Sequence, residues 1–306
     1  MKMKKLLSVL TVAALAVGFT SCGGGAKNEA APAAKSENKE AAGEASFDKD
    51  ILVVSREDGS GTRSAFVELT GVLTKDGDKE TDNTISTAQI SPSTNEVMTF
   101  VSNTDAAIGY ISLGSLNDTV KALKVEGVEA TPENIKAGSY KISRPFNICY
   151  KDSLSNEAKD FISFIKAKQG QDLAAKEGYI AIDDAAAEYK ADSQLKGKVT
   201  IQGSTSVAPL MEKIMEAYKA VQPDVTVEIQ ANGSSAGVKA AMEGQADIGM
   251  ASRELKDEEK AKVTGEAIAQ DGIAVIINKE NPAEDITIDQ LKGIYTGEIA
   301  NWSDIK

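Results

Sequence analysis

The stretch "ILVVSREDGSGTRSAF", residues 51–66, combines three features that together decide the fold. It begins with four consecutive apolar residues, a pattern typical of a strand that is buried on both faces. A polar, glycine-rich turn follows, and the residues beyond it predict a helix that continues to about Leu73. Strand, short turn and helix in this order form the repeating unit of α/β proteins with parallel sheets. Because ligands bind such sheets where strands end and helices begin, the turn at residues 56–62 is a candidate binding site.

The same alternation continues along the chain. Further strands are predicted at 107–113, 144–151, 199–203, 225–230, 247–252 and 272–278, with helices from about residue 155, from about residue 207 and at 235–244. With 306 residues and 42% hydrophobic content, the chain is long enough to bury two cores. We therefore expect two α/β lobes, each with a mainly parallel sheet. The polar, alanine-rich residues 181–198 predict a connector, in which a short helix is possible.

The N-terminal residues predict export. Residues 1–22, "MKMKKLLSVLTVAALAVGFTSC", have a cationic start, an apolar run and small residues before Cys22, which is the layout of a secretory signal. "FTSC" resembles the bacterial lipobox and predicts a lipoprotein signal peptide with lipidation of Cys22; a signal peptide without lipid is the alternative. Residues 23–47 have almost nothing to bury and predict a flexible tether. We expect a periplasmic or extracytoplasmic lipoprotein of the cell envelope, held to a membrane by its lipid anchor.

Composition excludes several classes of function. The chain contains no histidine, which rules out Ser-His-Asp and Cys-His catalysis and histidine metal sites. It also has no G-x-x-x-x-G-K-[ST] phosphate loop, and "GSTSV" from Gly203 does not form a G-x-S-x-G elbow. A formal charge of −12 argues against a nucleic-acid partner. We therefore expect a protein that is not an enzyme and that uses neither a metal nor a cofactor, with Cys149 as a buried thiol.

Three strand-to-helix turns share glycine and small hydroxyl residues: "DGSGTR" from Asp58, "GSTSVAP" from Gly203 and "NGSSAG" from Asn232. The first amides of a helix lack partners and carry partial positive charge, so these turns are candidate anion sites. Arg56 would add a full positive charge, and its planar fork suits two oxygens of a tetrahedral anion. Asp58 could hold the guanidinium in place. The alternatives are ordinary helix caps and a surface pair of arginine and aspartate.

Longer segments form two groups. The first group contains "TIQGSTSVAPLMEKIMEAY", "GSSAGVKAAMEGQADIGMASREL", "DGIAVIINKENP" and "IYTGEIANWSDI", and the second contains "ILVVSREDGSGTRSAF", "AIGYISLGSL", "ISRPF" and "FISFIKAKQGQDLAAKEGYIAI". The first group resembles the amino-terminal half, and the second the carboxyl-terminal half, of the PstS family, the phosphate-binding proteins of bacterial phosphate ABC transporters. The halves stand in reverse order here, which indicates a circular permutation with residues 181–198 joining the family's usual ends.

The resemblance implies a two-lobed periplasmic-binding-protein fold of type II with a hinge between the lobes. With crossovers near Ser143 and Asn278, one lobe would be split into 48–146 plus 278–306, and the other would run continuously over 147–277. A rival arrangement is a swapped dimer in which each chain supplies two half-proteins. A monomer that binds one phosphate would exclude obligatory swapping.

The resemblance also implies the binding residues. Those that match the family's phosphate-binding positions are Arg56, Ser60, Gly61, Thr62, Thr205, Ser206 and Ser234, with Asp58 behind the arginine. Ser252 stands where some members carry an aspartate that accepts a hydrogen bond from the proton on phosphate, and a serine can still accept that bond. The neighbouring Arg253 either adds charge to the site or pairs with Glu254.

The function implied is a receptor that captures inorganic phosphate between its lobes and delivers it to a membrane ABC permease. A receptor for another tetrahedral oxyanion, such as sulfate or molybdate, and an enzyme acting on phosphate esters are the alternatives.

Overall fold

The computed structural model of the chain describes residues 47–77, 79–191 and 194–305. The α-helices within these ranges are α1 (Gly61–Leu69), α2 (Thr94–Ser102), α3 (Pro132–Lys136), α4 (Asn156–Lys166), α5 (Lys168–Lys176), α6 (Ala208–Val221), α7 (Ser234–Glu243), α8 (Asp257–Lys260) and α9 (Ile288–Thr296). The strands are β1 (Leu52–Arg56), β2 (Leu73–Asp76), β3 (Lys79–Asp82), β4 (Gln89–Ser91), β5 (Ala107–Ser112), β6 (Lys121–Ala122), β7 (Lys124–Val125), β8 (Ser143–Tyr150), β9 (Ile180–Ala181), β10 (Gly197–Gly203), β11 (Val225–Ala231), β12 (Ile248–Ala251), β13 (Thr264–Ile277) and β14 (Asp285–Ile286).

Eight of these strands form one continuous path of hydrogen-bonded neighbours, in the order β11-β10-β12-β8-β13-β5-β1-β4. At one end of the path β1 runs parallel to β4 and β5, and at the other end β10 runs parallel to β11 and β12. The long strands β8 and β13 lie between these groups and are antiparallel to each other and to their outer neighbours. The prediction of two α/β lobes with mainly parallel sheets is confirmed.

Strand β13 passes from one hydrophobic core to the other. Its residues Ile268 and Ala269 pack in a core with α4 and α6, whereas Ile273 to Ile277 pack in two clusters with β1, β5, α2 and α9. Because one strand belongs to both cores, and β8 pairs with it along most of its length, these two strands connect the lobes.

The structure differs from the predicted secondary structure after residue 69. Helix α1 ends at Leu69 instead of continuing to Leu73, and the following residues turn back into the β2–β3 hairpin. The hydroxyl of Thr70 donates to Phe66 O at 2.7 Å, and Gly71 has a φ of +72°, which glycine adopts without strain. The described residues of the connector, 181–191 and 194–198, contain no helix.

Segments from the two ends of the described chain lie side by side. Ile51 N donates to Ala300 O at 2.8 Å, and Trp302 N donates to Lys49 O at 2.9 Å. The predicted signal peptide, the lipidation site Cys22 and nearly all of the tether lie outside the described residues. Within the described part of the chain, none of the helices has the length and apolar character needed to span a bilayer.

Candidate functional site

Arg56 is the centre of the candidate site. It is the last residue of β1, and only 1% of its surface is exposed. Its guanidinium binds both carboxylate oxygens of Glu57, with Nε to Oε2 at 2.9 Å and Nη2 to Oε1 at 3.0 Å. Nε also donates to Ser91 O at 3.1 Å, whereas Nη1 has no partner within the described protein. A buried guanidinium nitrogen without a partner is a strong donor that is available to an anion.

Asp58 is not the partner of Arg56, contrary to the sequence-based expectation. Its side chain is 99% exposed and accepts from Arg63 Nη1 at 3.0 Å. Arg63 in turn donates to Arg56 O at 2.9 Å, so it supports the backbone of the turn. Glu57 takes the predicted role because it lies next to Arg56 and its longer side chain reaches back to both guanidinium nitrogens.

The start of α1 forms the first wall of the site. Ser60 is the N-cap, and its backbone oxygen and side-chain oxygen accept from the amides of Ser64 and Arg63. The first two amides of the helix, those of Gly61 and Thr62, have no partner within the helix and point outward from its N-terminal end. Thr62 is 1% exposed, so its hydroxyl is buried at the same place.

The start of α6 forms the second wall. Thr205 Oγ1 accepts from Arg56 Nη2 at 2.9 Å, and Ser206 Oγ lies 2.9 Å from Thr62 Oγ1. Ser204 orders this turn, since its oxygen accepts from the amides of Ser206 at 3.1 Å and Val207 at 3.3 Å. Arg56 and Thr62 belong to one lobe and these partners to the other, so both contacts cross the cleft.

The start of α7 and the end of β12 form the third wall. Ser234 Oγ accepts from the amide of Ser252 at 3.1 Å and lies 3.4 Å from its hydroxyl oxygen. A Cβ atom at Gly61 would stand 2.4 Å from Ser234 Oγ and 2.7 Å from Ser252 Oγ, so only glycine permits this approach. Ser235 N donates to Gly59 O at 3.0 Å, a further bond between the lobes.

The structure therefore brings the eight predicted binding residues together around the three turns, and it leaves out the predicted supporting residue Asp58. Six of the eight are at most 2% exposed: Arg56, Ser60, Thr62, Ser206, Ser234 and Ser252. In such a water-poor cleft each hydrogen bond to an anion is stronger than in water. The arrangement offers one arginine, several hydroxyl groups and helix-start amides, a set of donors suited to a small oxyanion.

Arg253 is engaged outside this group of donors. Its two terminal nitrogens bind the two oxygens of Glu259 at 2.8 and 2.9 Å, and it also donates to the backbone oxygen of Glu254. Burial alone would raise the pKa of the Glu259 carboxyl, but the bonds from Arg253 and the Lys256 amide lower the pKa below its usual value. The expected ion pair thus exists, with Glu259 and not Glu254 as its carboxylate.

Two polar residues of the cleft were missed in the sequence. Thr94, 3% exposed, lies at the start of α2, and its Oγ1 is 3.3 Å from Ser206 Oγ. Ser204, 2% exposed, donates to Ser252 Oγ at 2.9 Å. "SPST", residues 91–94, was a signal for a fourth helix start, but the strand before it is only three residues long.

A buried ion pair joins the strands that connect the lobes. Arg144 of β8 and Asp271 of β13 are paired residues, 3% and 0% exposed, with Nη2 3.0 Å from Oδ2. Burial raises the pKa of Asp271 to about 6 against the opposing attraction of Arg144, and it lowers the pKa of Arg144. Desolvation therefore outweighs the mutual attraction of the two charges.

Comparisons with known proteins show the family of the chain. Residues 26–168 and 188–306 match the family model of the PBP superfamily domain. The phosphate-binding protein PstS 2 of Streptococcus pneumoniae serotype 4 is 45% identical over 306 residues, which cover 100% of each chain. PstS 2 of Streptococcus agalactiae serotype V is 47% identical over 310 residues, covering 100% of this chain and 99% of that one.

A solved structure matches as well. The crystal structure of a phosphate ABC transporter, phosphate-binding protein from Streptococcus pneumoniae TIGR4 is 49% identical and superimposes with a TM-score of 0.69. The match covers 84% of this chain and 100% of that one. On the family model, the full-length relatives and the solved structure together, the chain belongs to the PstS family of phosphate-binding proteins.

Proposed function

We propose that this protein is an extracytoplasmic solute-binding receptor that captures inorganic phosphate between its two lobes. The observation that carries the proposal is Arg56, which is 1% exposed, clamped by Glu57 and left with one unpartnered nitrogen among the hydroxyl groups of three helix starts. The names of the relatives, phosphate-binding proteins of a phosphate ABC transporter, point to the same ligand.

Phosphate is held by donors and not by net charge. Arg56 and Glu57 form a pair of zero net charge, so the attraction comes from the free face of the guanidinium, from helix-start amides and from hydroxyl protons. The donors come from both lobes, so they surround the anion only when the lobes close about their hinge. The closed complex then delivers its phosphate to a membrane ABC permease.

The lobes and their order along the chain are part of the proposal. The boundaries expected from the sequence are 48–146 plus 278–306 for a split lobe and 147–277 for a continuous lobe. We propose to move the second boundary to near Asp271, because Ile273 to Ile277 pack in the hydrophobic clusters of the split lobe. The contacts of residues 49–51 with 300–302 support a circular permutation, because they place segments that stand at opposite ends of this sequence next to each other.

The membrane anchor is proposed on sequence alone. We propose that the signal peptide is cleaved just before Cys22, that this cysteine is lipidated as the new first residue, and that the tether over 23–47 holds the receptor near the permease. Mass spectrometry of the protein purified from membranes tests this step. An unmodified Cys22, or a mature protein that begins elsewhere, would contradict it.

The binding function is tested by titration calorimetry with phosphate, sulfate and molybdate between pH 5 and 9. We expect one phosphate per chain. Arg56→Met should weaken binding by at least about tenfold, since it removes at least one charge-assisted bond of about 1.5–3 kcal/mol. Arg56→Lys keeps the charge but loses the planar fork, so its affinity for phosphate should lie between those of the wild type and Arg56→Met. Lys198→Met serves as the control, because Lys198 is an exposed residue that pairs with Glu228. Binding of another anion with no binding of phosphate would refute the proposal.

Catalysis is not part of the proposed function. The hydroxyl groups of the cleft bind one another and backbone amides, and the chain has no histidine to activate them. Turnover of a generic phosphomonoester that disappears in Ser60→Ala would establish the enzyme alternative instead.

A further inference from the structure

A fourth strand-to-helix corner belongs to the cleft. Strand β4 pairs with β1 so that Ser91 stands opposite Arg56, and Ser91 O accepts from Arg56 Nε at 3.1 Å. Three residues later, Thr94 begins α2 and places its Oγ1 3.3 Å from Ser206 Oγ. One short corner therefore contacts both the arginine of the site and a hydroxyl of the opposite wall.

The position of this corner is rigid. Val97 and Val101 of α2 are fully buried and pack in a cluster with Val54 of β1 and Ile111 of β5. A Cβ at Gly109 would approach Val97 to 2.8 Å, so the helix lies close against the sheet. Thr94 is thus held on its own lobe independently of the cleft contact.

The partner of Thr94 belongs to the other lobe. Ser206 precedes α6, whose buried residues Leu210, Met211 and Ile214 pack in the core that also contains α4. The contact between the two hydroxyl groups therefore exists only while the lobes are closed.

Bound phosphate changes the hydrogen-bond partners of the Ser206 hydroxyl. Thr62 Oγ1 and Ser206 Oγ lie 2.9 Å apart, and one of the two hydroxyl protons forms the hydrogen bond between them. When an anion draws both protons, neither hydroxyl donates to the other, and Ser206 Oγ is free to accept from Thr94 Oγ1. The bond from Thr94 then holds Ser206 in the orientation in which it donates to the anion.

We propose that Thr94 is a positioning residue of the phosphate site: its hydroxyl latches Ser206 across the closed cleft and thereby sets how long the anion stays bound. The inference rests on the proposed function, because the latch acts on bound phosphate. The contact forms after capture, so its loss acts on the dissociation rate and leaves the association rate nearly unchanged.

The test is release of radiolabelled inorganic phosphate from the full-length protein after a chase with unlabelled phosphate. Thr94→Val, which keeps the shape and removes the hydroxyl, should raise the dissociation rate about 2- to 10-fold, the equivalent of one neutral hydrogen bond. Thr94→Ser should restore the wild-type rate. Thr99→Val is the matched control, since Thr99 is an exposed residue of the same helix whose hydroxyl donates to Asn95 O.

The outcomes separate the possible failures. Dissociation from Thr94→Val at the wild-type rate overturns the latch while the proposed function stands. Equal losses in Thr94→Val and Thr94→Ser, together with a lower melting temperature without phosphate, also overturn it, because they indicate a role in packing only. A wild-type protein that retains no labelled phosphate overturns the proposed function and the latch with it.

Discussion

Gly61 provides the most direct test of the closed cleft. It is the first residue of α1, where helical backbone angles suit alanine as well as glycine. In the closed protein, however, a methyl group at this position would stand 2.4 Å from Ser234 Oγ and 2.7 Å from Ser252 Oγ on the other lobe. Gly61→Ala therefore leaves each lobe intact and blocks their approach.

The size of the effect follows from these distances. Relief of both contacts requires the opposite wall to withdraw by nearly 1 Å, which takes two hydroxyl groups out of reach of the anion. A hydrogen bond to a charged group contributes about 1.5–3 kcal/mol, so two such bonds amount to about 3–6 kcal/mol. We expect the dissociation constant for phosphate to rise roughly 10²- to 10⁴-fold.

The assay combines titration calorimetry with thermal unfolding in the absence of phosphate. Gly61→Ala should lose affinity while its melting temperature stays the same or rises. Glu68→Ala, on the same helix, is the control, because Glu68 is exposed and pairs with Lys75 away from the binding residues. Wild-type affinity in Gly61→Ala would refute the closed geometry, and a loss of affinity that only accompanies a lower melting temperature would refute the reasoning about separate lobes.

Three further predictions concern charged groups. Because the pKa of Asp271 is raised, this carboxyl stabilises the fold fully below about pH 4, and the stabilisation is lost as pH rises past about 6. In urea unfolding, the free energy of unfolding of the wild type relative to Asp271→Asn should therefore fall by up to roughly 3 kcal/mol across this range. The pKa of Glu259 is lowered, so its contribution to stability has the opposite pH dependence. Glu259→Gln should lower the free energy of unfolding by about 3 kcal/mol at pH 7, because Arg253 loses its charged partner. The difference in stability between the wild type and this variant should narrow as pH falls below about 4.5. Asp58→Asn should bind phosphate within about twofold of the wild type in calorimetry, because its carboxylate is exposed and pairs with Arg63 and not with Arg56; a tenfold loss would restore its predicted role.

The three predicted turns were readable because helix starts are local features. A strand, a glycine-rich turn and a hydroxyl cap occupy consecutive residues, so "SREDGSGT" and "GSTSV" indicate donors without knowledge of the fold. The family resemblance then identified the ligand and the reversed order of the halves. Family membership and the two-lobed fold are confirmed, whereas the permutation, the lobe boundaries and the lipid anchor stay predictions.

The errors came from contacts that local sequence does not specify. Asp58 and Glu57 are neighbours in the turn, and only the direction of each side chain decides which of them meets Arg56. Thr94 was missed because its partner Ser206 lies 112 residues away. Helix α1 was predicted too long because the apolar residues Val72 and Leu73, which extend the helical pattern, belong to the turn and hairpin that follow it.

By itself the sequence determined the alternating strands and helices, the absence of histidine chemistry and the set of hydrogen-bond donors, because each of these depends on neighbouring residues or on composition. The tertiary structure alone decided which donors meet. The two lobes, connected by β8 and β13, face each other so that Arg56 meets Thr205, Thr62 meets Ser206 and Gly61 lies against Ser234, residues that are far apart in the chain. A buried anion site needs donors on every side, and one continuous segment of chain supplies only one wall.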